Sequence, residues 1–557
     1  MPAIHDPVTT TPAVELTSVL DARFAVSLKH LLAVLWFSAF YLYYAFIPIH
    51  HTDIWGHIAY GEWMLSHRAL PAEDPFVTLA GGVPITCTAW LGQIVYAVAG
   101  ELGGVEGYPF LFALLSLITY LVVARTSFLQ TGGFGLGVGL SIFAWLLNFS
   151  RHRVIRPEAF GLLACAVLLW LLVRDRPWRA IRGAGESGPR FGLTTWIGMP
   201  VVFALWANLH GSFIVGLLIL GCGLAGRALE VAWISRGSLR AILSDRELRS
   251  WLWLTELSFA ATLLNPYGMD LVLNTIIFPS NPNLNDVVEW FRPDIMSVEG
   301  LLLAGSLVCW MVLLRHSRVP VTPAQVLLIG GFALLVLLRV RMIAWYSMIF
   351  VYVAAPHVAD VSARCRAWLH SLDLPHADLG WAGPSFRYTA ISLLLVWLAF
   401  VFSPASTPLF GGKPRTDRHR YSHETPLALT KFLNEHPPVG QIMNPQWWGD
   451  WLAFKGPRDL QVFMTTNAVH VAPRRVWLDY LALARGDEGF QRRLDRYRIN
   501  TIIVHKELQA PAARLARGLT GWKVAYEDDL ALVAVRVSDQ STEESPAAEA
   551  TETANVE

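Results

Sequence analysis

Segment 50–76 contains the residues best suited to acid–base chemistry. It follows the first long apolar run directly and carries Asp53, Glu73 and Asp74. A carboxylate beside a membrane-embedded helix is costly to place near lipid, and that cost favours a functional interpretation. The other interpretation is a solvated loop whose acids keep it in water. His57 follows Asp53 by four residues, so a helix through this segment would place both side chains on one face.

Cationic side chains stand at the ends of later apolar runs, in the sequences SRHRVIRPEAF, WANLHGSF and RVRMIAWY. Arginine suits phosphate because its planar guanidinium donates two hydrogen bonds at once. A single arginine at a helix end is also explained by a side chain that reaches towards the membrane surface. Several cationic side chains at helix ends on one side of the membrane instead predict a cationic cavity. Its candidate phosphate-binding residues are Arg151, Arg153, Arg156, His210, Arg339 and Arg341.

An acid and a cluster of cations have complementary roles in group transfer from a phosphate-linked donor. The carboxylate takes the proton of an acceptor hydroxyl, and the cations neutralise charge as the phosphate leaves. We expect Asp53 to be the base and His57 to orient it or to contact the phosphate. Glu73 and Asp74 are expected to bind the acceptor or a metal. Because hard cations take about six oxygens, two acids make a weak metal site, and no metal cofactor is favoured.

An acid–aromatic pair, Glu289 and Trp290, lies in a connection rich in proline and asparagine. Those residue types predict a loop. An indole face stacks on a sugar ring while a carboxylate accepts hydrogen bonds from hydroxyls, so we expect this pair to contact the acceptor. Tryptophan is also common at membrane interfaces, which is the alternative explanation.

The composition places these residues in a membrane protein. Of 557 residues, 54% are hydrophobic and only 16% are charged, whereas soluble proteins are less apolar and more highly charged. A net charge of +1 gives no reason to expect nucleic acid as a partner. The five cysteines are scattered and show neither metal-ligand nor disulfide spacing.

Apolar runs of the length needed to cross a bilayer predict a polytopic α-helical membrane domain at 26–406. About eleven spans have cores at 28–48, 107–124, 134–149, 158–173, 194–209, 212–232, 251–265, 300–314, 321–338, 343–357 and 387–404. An excess of basic residues in the cytoplasmic connections places the N-terminus inside and everything after residue 405 outside. The first outer loop is then 49–106, and its apolar stretch 89–102 is expected to be an interfacial helix.

The composition changes near residue 407, where a polar linker leads into a C-terminal extracytoplasmic domain that extends to 537. Apolar runs at 440–444, 460–464, 501–505, 522–527 and 530–537 alternate with helical patterns at 474–485 and 487–498, which predicts a small α/β domain with a partly parallel sheet. Segment 443–453, MNPQWWGDWLA, follows the first strand, where sites are favoured, but packing of its tryptophans is the simpler explanation. We expect 1–25 to be a cytoplasmic tail and the acidic segment 538–557 to be disordered.

This layout resembles the multi-spanning glycosyltransferases of the GT-C superfamily, which includes protein mannosyltransferases, aminoarabinose transferases and oligosaccharyltransferases. The resemblance is closest in HTDIWGHIAYGEWML and PAEDPF, which are similar to the acidic first outer loop of those enzymes. It extends to WANLHGSF, NPYG, VVEW and RVRMIAWY. It implies inverting transfer of a sugar from a polyprenyl-phosphate carrier to a glycan, lipid or protein acceptor, outside a bacterial cytoplasmic membrane.

The resemblance also implies roles for individual residues. Asp53 would match the loop acid, and Glu73 and Asp74 would match an acidic point that helps to hold the acceptor. The arginines and His210 would lie where the donor phosphate binds. This loop has no clear DxD, and its Asp53-Ile-Trp differs from the Asp–Glu pair of the mannosyltransferases. Which loop acid is the base therefore stays open.

Other functional classes remain as alternatives. The sequence has no GxGxxG before a helix, P-loop, HExxH or nucleophile elbow, which argues against nucleotide hydrolysis, zinc proteolysis and serine hydrolysis. A transporter or flippase of an anionic lipid or glycan is the main alternative, although no repeat of the kind common in transporters is visible. A non-catalytic protein whose outer domain binds glycan is the third.

Overall fold

The structure is a computed structural model that describes residues 24–77, 79, 81–174, 191–372 and 383–537. Two expectations lie outside the described residues: the N-terminal tail, of which only residues 24 and 25 are described, and the acidic segment 538–557.

The membrane domain is built of helices. Lipid offers no hydrogen-bond partners, so the backbone N–H and C=O groups of an apolar run must pair with one another, and a helix pairs them within one segment. Its helices are α1 Leu28–Ala45, α2 Ile54–His67, α3 Trp90–Gly103, α4 Gly107–Thr131, α5 Phe134–Asn148, α6 Glu158–Arg174, α7 Leu193–Leu209, α8 Phe213–Ile234, α9 Leu239–Ser244, α10 Arg246–Thr262, α11 Met269–Ile277, α12 Val298–His316, α13 Pro323–Leu338, α14 Ile343–Ser371 and α15 Phe386–Val401. Local signals set some ends: α13 begins at a capping box made by Thr322 and Gln325, which satisfies free N–H groups of the first turn.

The predicted number of about eleven spans is not confirmed. Among the described residues, four helical segments are long and apolar enough to cross a membrane: Trp90–Thr131, Phe213–Ile234, Val298–His316 and Val340–Ser371. A fifth is possible if Phe386–Val401 and Pro404–Phe410, which are bent by 76°, form one span. Other predicted spans form shorter helices, such as the 17-residue α7. At about 1.5 Å per residue, such a helix is shorter than the ~30 Å hydrocarbon core. The chain is an integral membrane protein, and its described residues include four or five helices of full spanning length.

The C-terminal region contains a small sheet, as expected, but this sheet has four strands instead of five. Its elements are α16 Thr407–Phe410, α17 Asp417–Arg420, α18 Leu427–Glu435, β1 Gln441–Met443, α19 Gln446–Lys455, α20 Arg474–Arg485, α21 Phe490–Arg496, β2 Ile499–His505, α22 Ala510–Gly518, β3 Trp522–Glu527 and β4 Ala531–Arg536. The strand order is β1-β2-β4-β3. Strands β1 and β2 are parallel and the other pairs are antiparallel. The strand predicted at 460–464 is wrong: this segment has no ladder and only touches β1, where Ile442 N–H donates to Gln461 O at 3.4 Å.

Helix α19 of the C-terminal region packs directly on α2, which follows the first apolar helix. The buried indole of Trp55 meets Trp451 edge-on at 4.8 Å and stacks on Phe454 at 5.3 Å between ring centroids. Aromatic pairs of this kind stabilise an interface beyond the area that they bury. The helix that begins beside Asp53 is therefore held by both domains.

A buried ion cluster binds the linker before the C-terminal region to the membrane helices. Glu106 is 6% exposed, and its carboxylate accepts from Arg415 Nη2 at 2.5 Å and from Arg420 Nε at 3.2 Å. Arg415 Nη1 also donates to the Phe46 carbonyl at 3.0 Å. The start of the linker is thereby tied to the ends of α1 and α3.

We expect Glu106→Ala to loosen this attachment strongly. Removing one member of a buried ion pair leaves uncompensated charge and typically costs about 3–5 kcal/mol. Thermal unfolding in detergent should occur at a lower temperature, and trypsin should cut the linker faster. Asp417→Ala is the matched control, because its side chain is 66% exposed and lies 3.7 Å from Arg420. Equal behaviour of the two variants would contradict the assigned role of Glu106.

Candidate functional site

Asp53 stands at the N-cap of α2 but does not cap it. An aspartate there usually accepts a hydrogen bond from the first turn, whereas no such bond forms here among the described residues. Its Oδ1 instead accepts from Arg156 Nε at 3.1 Å. The side chain is turned away from its own helix towards the connection between α5 and α6.

Arg156 bridges two carboxylates from distant parts of the chain. Besides its contact with Asp53, its Nη2 lies 2.5 Å from Glu289 Oε1. Arg151 approaches the same carboxylate, with Nη1 3.3 Å from Glu289 Oε1. Three predicted outer connections, which carry Asp53, the two arginines and Glu289, therefore meet in one charged network. This brings together residues for which the sequence predicted different roles.

Glu289 and Arg156 are held in their charged forms although both lie in a largely buried network. Burial alone would raise the pKa of Glu289, but the guanidinium groups of Arg156, Arg151 and Arg341 outweigh it and hold that pKa below its ordinary value. Burial would lower the pKa of Arg156, but Asp53 and Glu289 raise it. Charged groups of both signs are present before any ligand binds, as electrostatic preorganisation requires.

Arg341 lies at the edge of this network with its donors uncommitted. It interacts electrostatically with Glu158 and Glu289, and its guanidinium sits 4.7 Å from the ring centroid of Trp290. The structure shows no hydrogen bond from this guanidinium to any residue that it describes. A cation held by an aromatic face, with free N–H groups, suits an anionic ligand.

His210 adds a hydrogen-bond donor rather than a charge. Its Nδ1 lies 2.7 Å from Ser212 Oγ and accepts from the Ser212 backbone N–H at 3.2 Å. Its proton is therefore assigned to Nε2. Burial lowers the pKa of His210 to about 4 against the pull of Glu158, so the ring is neutral at ordinary pH.

A small pocket lies between Arg151, Arg156, Glu158 and the ends of α5 and α6. Within the described part of the chain, four buried polar atoms in or beside it have no hydrogen-bond partner: Asn148 Oδ1, Ser150 Oγ, Arg151 Nε and Glu158 Oε1. Buried polar atoms are nearly always paired. Their number here indicates that the pocket receives water or a polar part of a ligand.

Glu158 is a site residue that the sequence reasoning missed. It begins α6, and its Oε2 lies 3.9 Å from Arg151 Nη2, which is too long for a hydrogen bond. It acts electrostatically on Arg341 and His210 as well. Its position two residues after Arg156, in the segment SRHRVIRPEAF, was the available signal: an acid at the start of an apolar run among three arginines.

His57 lies on α2 near Asp53, as the spacing predicted, and its backbone N–H donates to Asp53 O at 2.9 Å. Its ring Nδ1 faces Gln93, whose amide nitrogen is 3.0 Å away. Burial lowers the pKa of His57 although the Asp53 carboxylate opposes this. His57 is therefore a neutral, half-buried side chain close to the acid.

Other expected site residues have local partners instead. Glu73 is exposed and accepts from Gly82 N–H at 2.8 Å. Asp74 accepts from Tyr60 Oη at 2.6 Å and from two backbone N–H groups of its own turn. These contacts order the loop, and neither acid touches the arginine network.

The remaining expected residues lie around the network without joining it. Arg153 is exposed and packs over Phe149 at 5.8 Å. Arg339 donates to the Trp290 carbonyl at 3.0 Å. The Trp290 side chain is buried, with one face covered by Arg341, so its ring is not open for stacking on a sugar here.

The C-terminal domain supplies a second residue that sequence reasoning missed, Asp450 on α19. It is fully buried, and burial raises the pKa of this carboxyl to about 7, with Asp53 and Asp74 adding to the effect. Its signal was a lone acid in an aromatic segment directly after a strand. The expectation of simple tryptophan packing in 443–453 accounts for Trp448 and Trp451, which are buried, but not for this acid.

The described side chains of this site provide few ligands for a divalent cation. Among the residues that the structure describes, no group of three or more His, Cys, Asp or Glu side chains is placed to hold a metal ion. Two acids of the network, Asp53 and Glu289, are joined by the guanidinium of Arg156.

Comparison with known proteins identifies the fold. No family model matches the sequence, and no curated protein is similar to it at a significant level. The solved apo structure of the oligosaccharyltransferase of Archaeoglobus fulgidus matches at 12% identity and a TM-score of 0.50, covering 86% of this chain and 70% of that chain. The complex of that enzyme, AglB, with an inhibitory peptide and a dolichol-phosphate matches at 11% identity and a TM-score of 0.51, with coverage of 86% and 70%.

ArnT of Cupriavidus metallidurans bound to undecaprenyl phosphate is also similar, at 13% identity and a TM-score of 0.45, covering 91% of this chain and 98% of that chain. At such identities, the oligosaccharyltransferase structures show the fold alone. The chain shares the fold of this archaeal oligosaccharyltransferase, as its resemblance to the GT-C enzymes implied.

Proposed function

We propose that this protein is a membrane glycosyltransferase that moves a sugar from a polyprenyl-phosphate-linked donor to an extracytoplasmic acceptor. The observation that carries the proposal is the network in which Arg156 joins Asp53 to Glu289. It combines a carboxylate at the start of an outer helix with a group of arginines. Group transfer from a phosphate needs both a general base and cations that stabilise the leaving phosphate. The fold shared with an oligosaccharyltransferase supports the same conclusion.

Asp53 is the proposed base. Its Oδ1 is held by Arg156, while its Oδ2 receives no hydrogen bond from the described residues and remains available to an acceptor hydroxyl. The carboxylate takes that proton as the hydroxyl oxygen forms a bond to the anomeric carbon. Attack from the side opposite the phosphate inverts the configuration. His57 stays neutral and helps to orient α2 through Gln93 rather than through a direct bond to the carboxylate.

The donor phosphate is proposed to bind between Arg151, Arg341 and His210. Arg341 has uncommitted donors, Arg151 Nε lacks a partner in the described structure, and His210 presents its Nε2–H. These groups neutralise the phosphate as the glycosidic bond breaks and the electron pair passes to the phosphate oxygen. Glu289 and Glu158 hold the guanidinium groups in place, so the roles predicted for Glu289 and Trp290 in acceptor binding are replaced by positioning of the arginines.

The proposed acceptor is a glycan, lipid or protein on the outer face of a bacterial cytoplasmic membrane. The proposed orientation, N-terminus inside and C-terminal domain outside, follows from the basic residues of the cytoplasmic connections. The acceptor would enter beside α2, where the C-terminal domain meets the first outer loop.

A transfer assay in nanodiscs tests the proposal. Purified protein is given undecaprenyl phosphate carrying a radiolabelled hexose or pentose, together with an envelope extract as the acceptor source. We expect a labelled covalent product and release of undecaprenyl phosphate. In the main alternative, a flippase, labelled lipid would cross sealed vesicles without any covalent product, and that result would overturn the proposal.

We expect transfer to persist without divalent metal. The Arg156 guanidinium already occupies the space between the two network carboxylates that a cation would bridge. Turnover should therefore be unchanged by excess EDTA and should not rise on addition of Mg²⁺ or Mn²⁺. Loss of activity in EDTA that Mn²⁺ restores would show that a metal takes part.

A further inference from the structure

Asp450 makes an unusual contact across the boundary between the two domains. Its Oδ2 accepts hydrogen bonds from the backbone N–H of Thr466 at 2.8 Å and from the Thr466 hydroxyl. Its Oδ1 points at Gly56, in the first turn of α2, so closely that a Cβ on Gly56 would collide with it. The carboxyl is thus fixed on one side by its own domain and pressed on the other against the helix that carries Asp53.

Asp450 Oδ1 has no hydrogen-bond partner among the described residues, whereas a buried carboxyl oxygen normally has one. Asp450 is fully buried, and no residue in the described ranges donates a hydrogen bond to its Oδ1. An unpaired buried polar atom costs about 1–3 kcal/mol, and plain packing would be served better by an apolar side chain. The surrounding aromatic contacts of Trp55 with Trp451 and Phe454 hold the carboxyl in this position.

We propose that Asp450 is a positioning residue that fixes the first turn of α2 through Gly56 and thereby directs Asp53 towards Arg156. Asp53 lies three residues before Gly56, on the same turn, and its side chain forms no cap with its own helix. The orientation of the turn must therefore come from outside, and the C-terminal domain supplies it. The proposal rests on the proposed transferase function for its kinetic consequences but not for its structural ones.

The contact should also depend on pH. The titratable groups that act on Asp450 are the carboxylates of Asp53 and Asp74, and burial with their repulsion raises its pKa from 3.8 to about 7. A carboxyl whose pKa is higher in the packed state binds more protons there than in the open state. Packing is therefore strongest at low pH, weakens as pH rises from about 4 to about 7, and changes little above that range.

Four variants test the proposal: Gly56→Ala, Asp450→Ala, Asp450→Asn and the control Gly103→Ala, whose added Cβ would meet open space. Gly56→Ala and Asp450→Ala should lower kcat by about 10- to 100-fold, because small displacements of a catalytic group cost this much. The KM for the donor should hardly change. Asp450→Asn keeps the shape without the charge and should retain kcat, but lose the decline that the wild type shows between about pH 4 and about pH 7.

Hydrogen exchange provides a readout that does not need activity. Amides of segment 52–59 should exchange faster in Gly56→Ala and Asp450→Ala than in the wild type, Asp450→Asn or Gly103→Ala. If no transfer is ever detected, the proposed function fails while the exchange data still test the contact. Wild-type exchange in Gly56→Ala and Asp450→Ala would overturn the proposal. So would a defect in Asp450→Asn as large as that in Asp450→Ala, because the carboxylate itself would then be required.

Discussion

Asp53→Asn should nearly abolish sugar transfer while leaving the protein folded and the donor bound. General base catalysis contributes about 10²- to 10⁴-fold, and we expect kcat to fall within that range. The amide oxygen still accepts the hydrogen bond from Arg156 Nε that the carboxylate accepts at 3.1 Å. The network geometry is therefore largely preserved, so the KM for the donor should change little. The measurement is initial rate against donor concentration in nanodiscs.

The control for this variant is Glu73→Gln in the same outer loop. Glu73 is exposed and contacts only the local turn around Gly82, so transfer should stay near the wild-type rate. Undiminished turnover in Asp53→Asn would remove Asp53 from the mechanism. A large loss in Glu73→Gln would move the base to the other acidic point of the loop.

Arg156→Lys should cause the second large loss. Lysine keeps the positive charge but lacks the planar fork, and one ammonium cannot reach both Asp53 and Glu289 as Nε and Nη2 do at 3.1 and 2.5 Å. Losing a preorganised contact of this kind costs about 10²- to 10³-fold in kcat. We expect a decrease in that range in kcat/KM, with thermal unfolding used to confirm that the protein remains folded.

Arg153→Lys is the matched control, because Arg153 is three residues away on the same connection but exposed and stacked on Phe149. It should transfer sugar at close to the wild-type rate. Similar losses in the two variants would indicate a general need for positive charge in the connection. They would argue against a specific bridge through Arg156.

Much of the architecture could be predicted from local pattern. The C-terminal α/β domain, its parallel strand pair and the helix at 474–485 follow from alternating short apolar runs and amphipathic spacing, which depend on near neighbours in sequence. The span count was less predictable. Apolar composition does not set the length of a helix: α7 has 17 residues and α13 has 16, both fewer than the ~20 that a full span usually needs.

Local sequence pattern was a poorer guide to the contacts of individual acids and arginines. Asp74 and Glu289 were both expected to meet the acceptor, but Asp74 is committed to its own turn and Glu289 to two arginines. Arg153 and Arg156 are both arginines of the same short connection, so the sequence alone does not show which of them meets Asp53. The chain between them is irregular, so no helical or strand period sets which way each side chain points.

The sequence alone indicates a membrane protein with an acidic segment after its first apolar run and a small C-terminal sheet. Those features depend on hydrophobicity and periodicity, which act over a few residues. The pairing of Asp53 with Arg156 across 103 positions and the contact of Asp450 with Gly56 are visible only in the three-dimensional structure. Ion pairing and close packing are set by side chains that converge from separate elements, and no local pattern encodes which of them will meet.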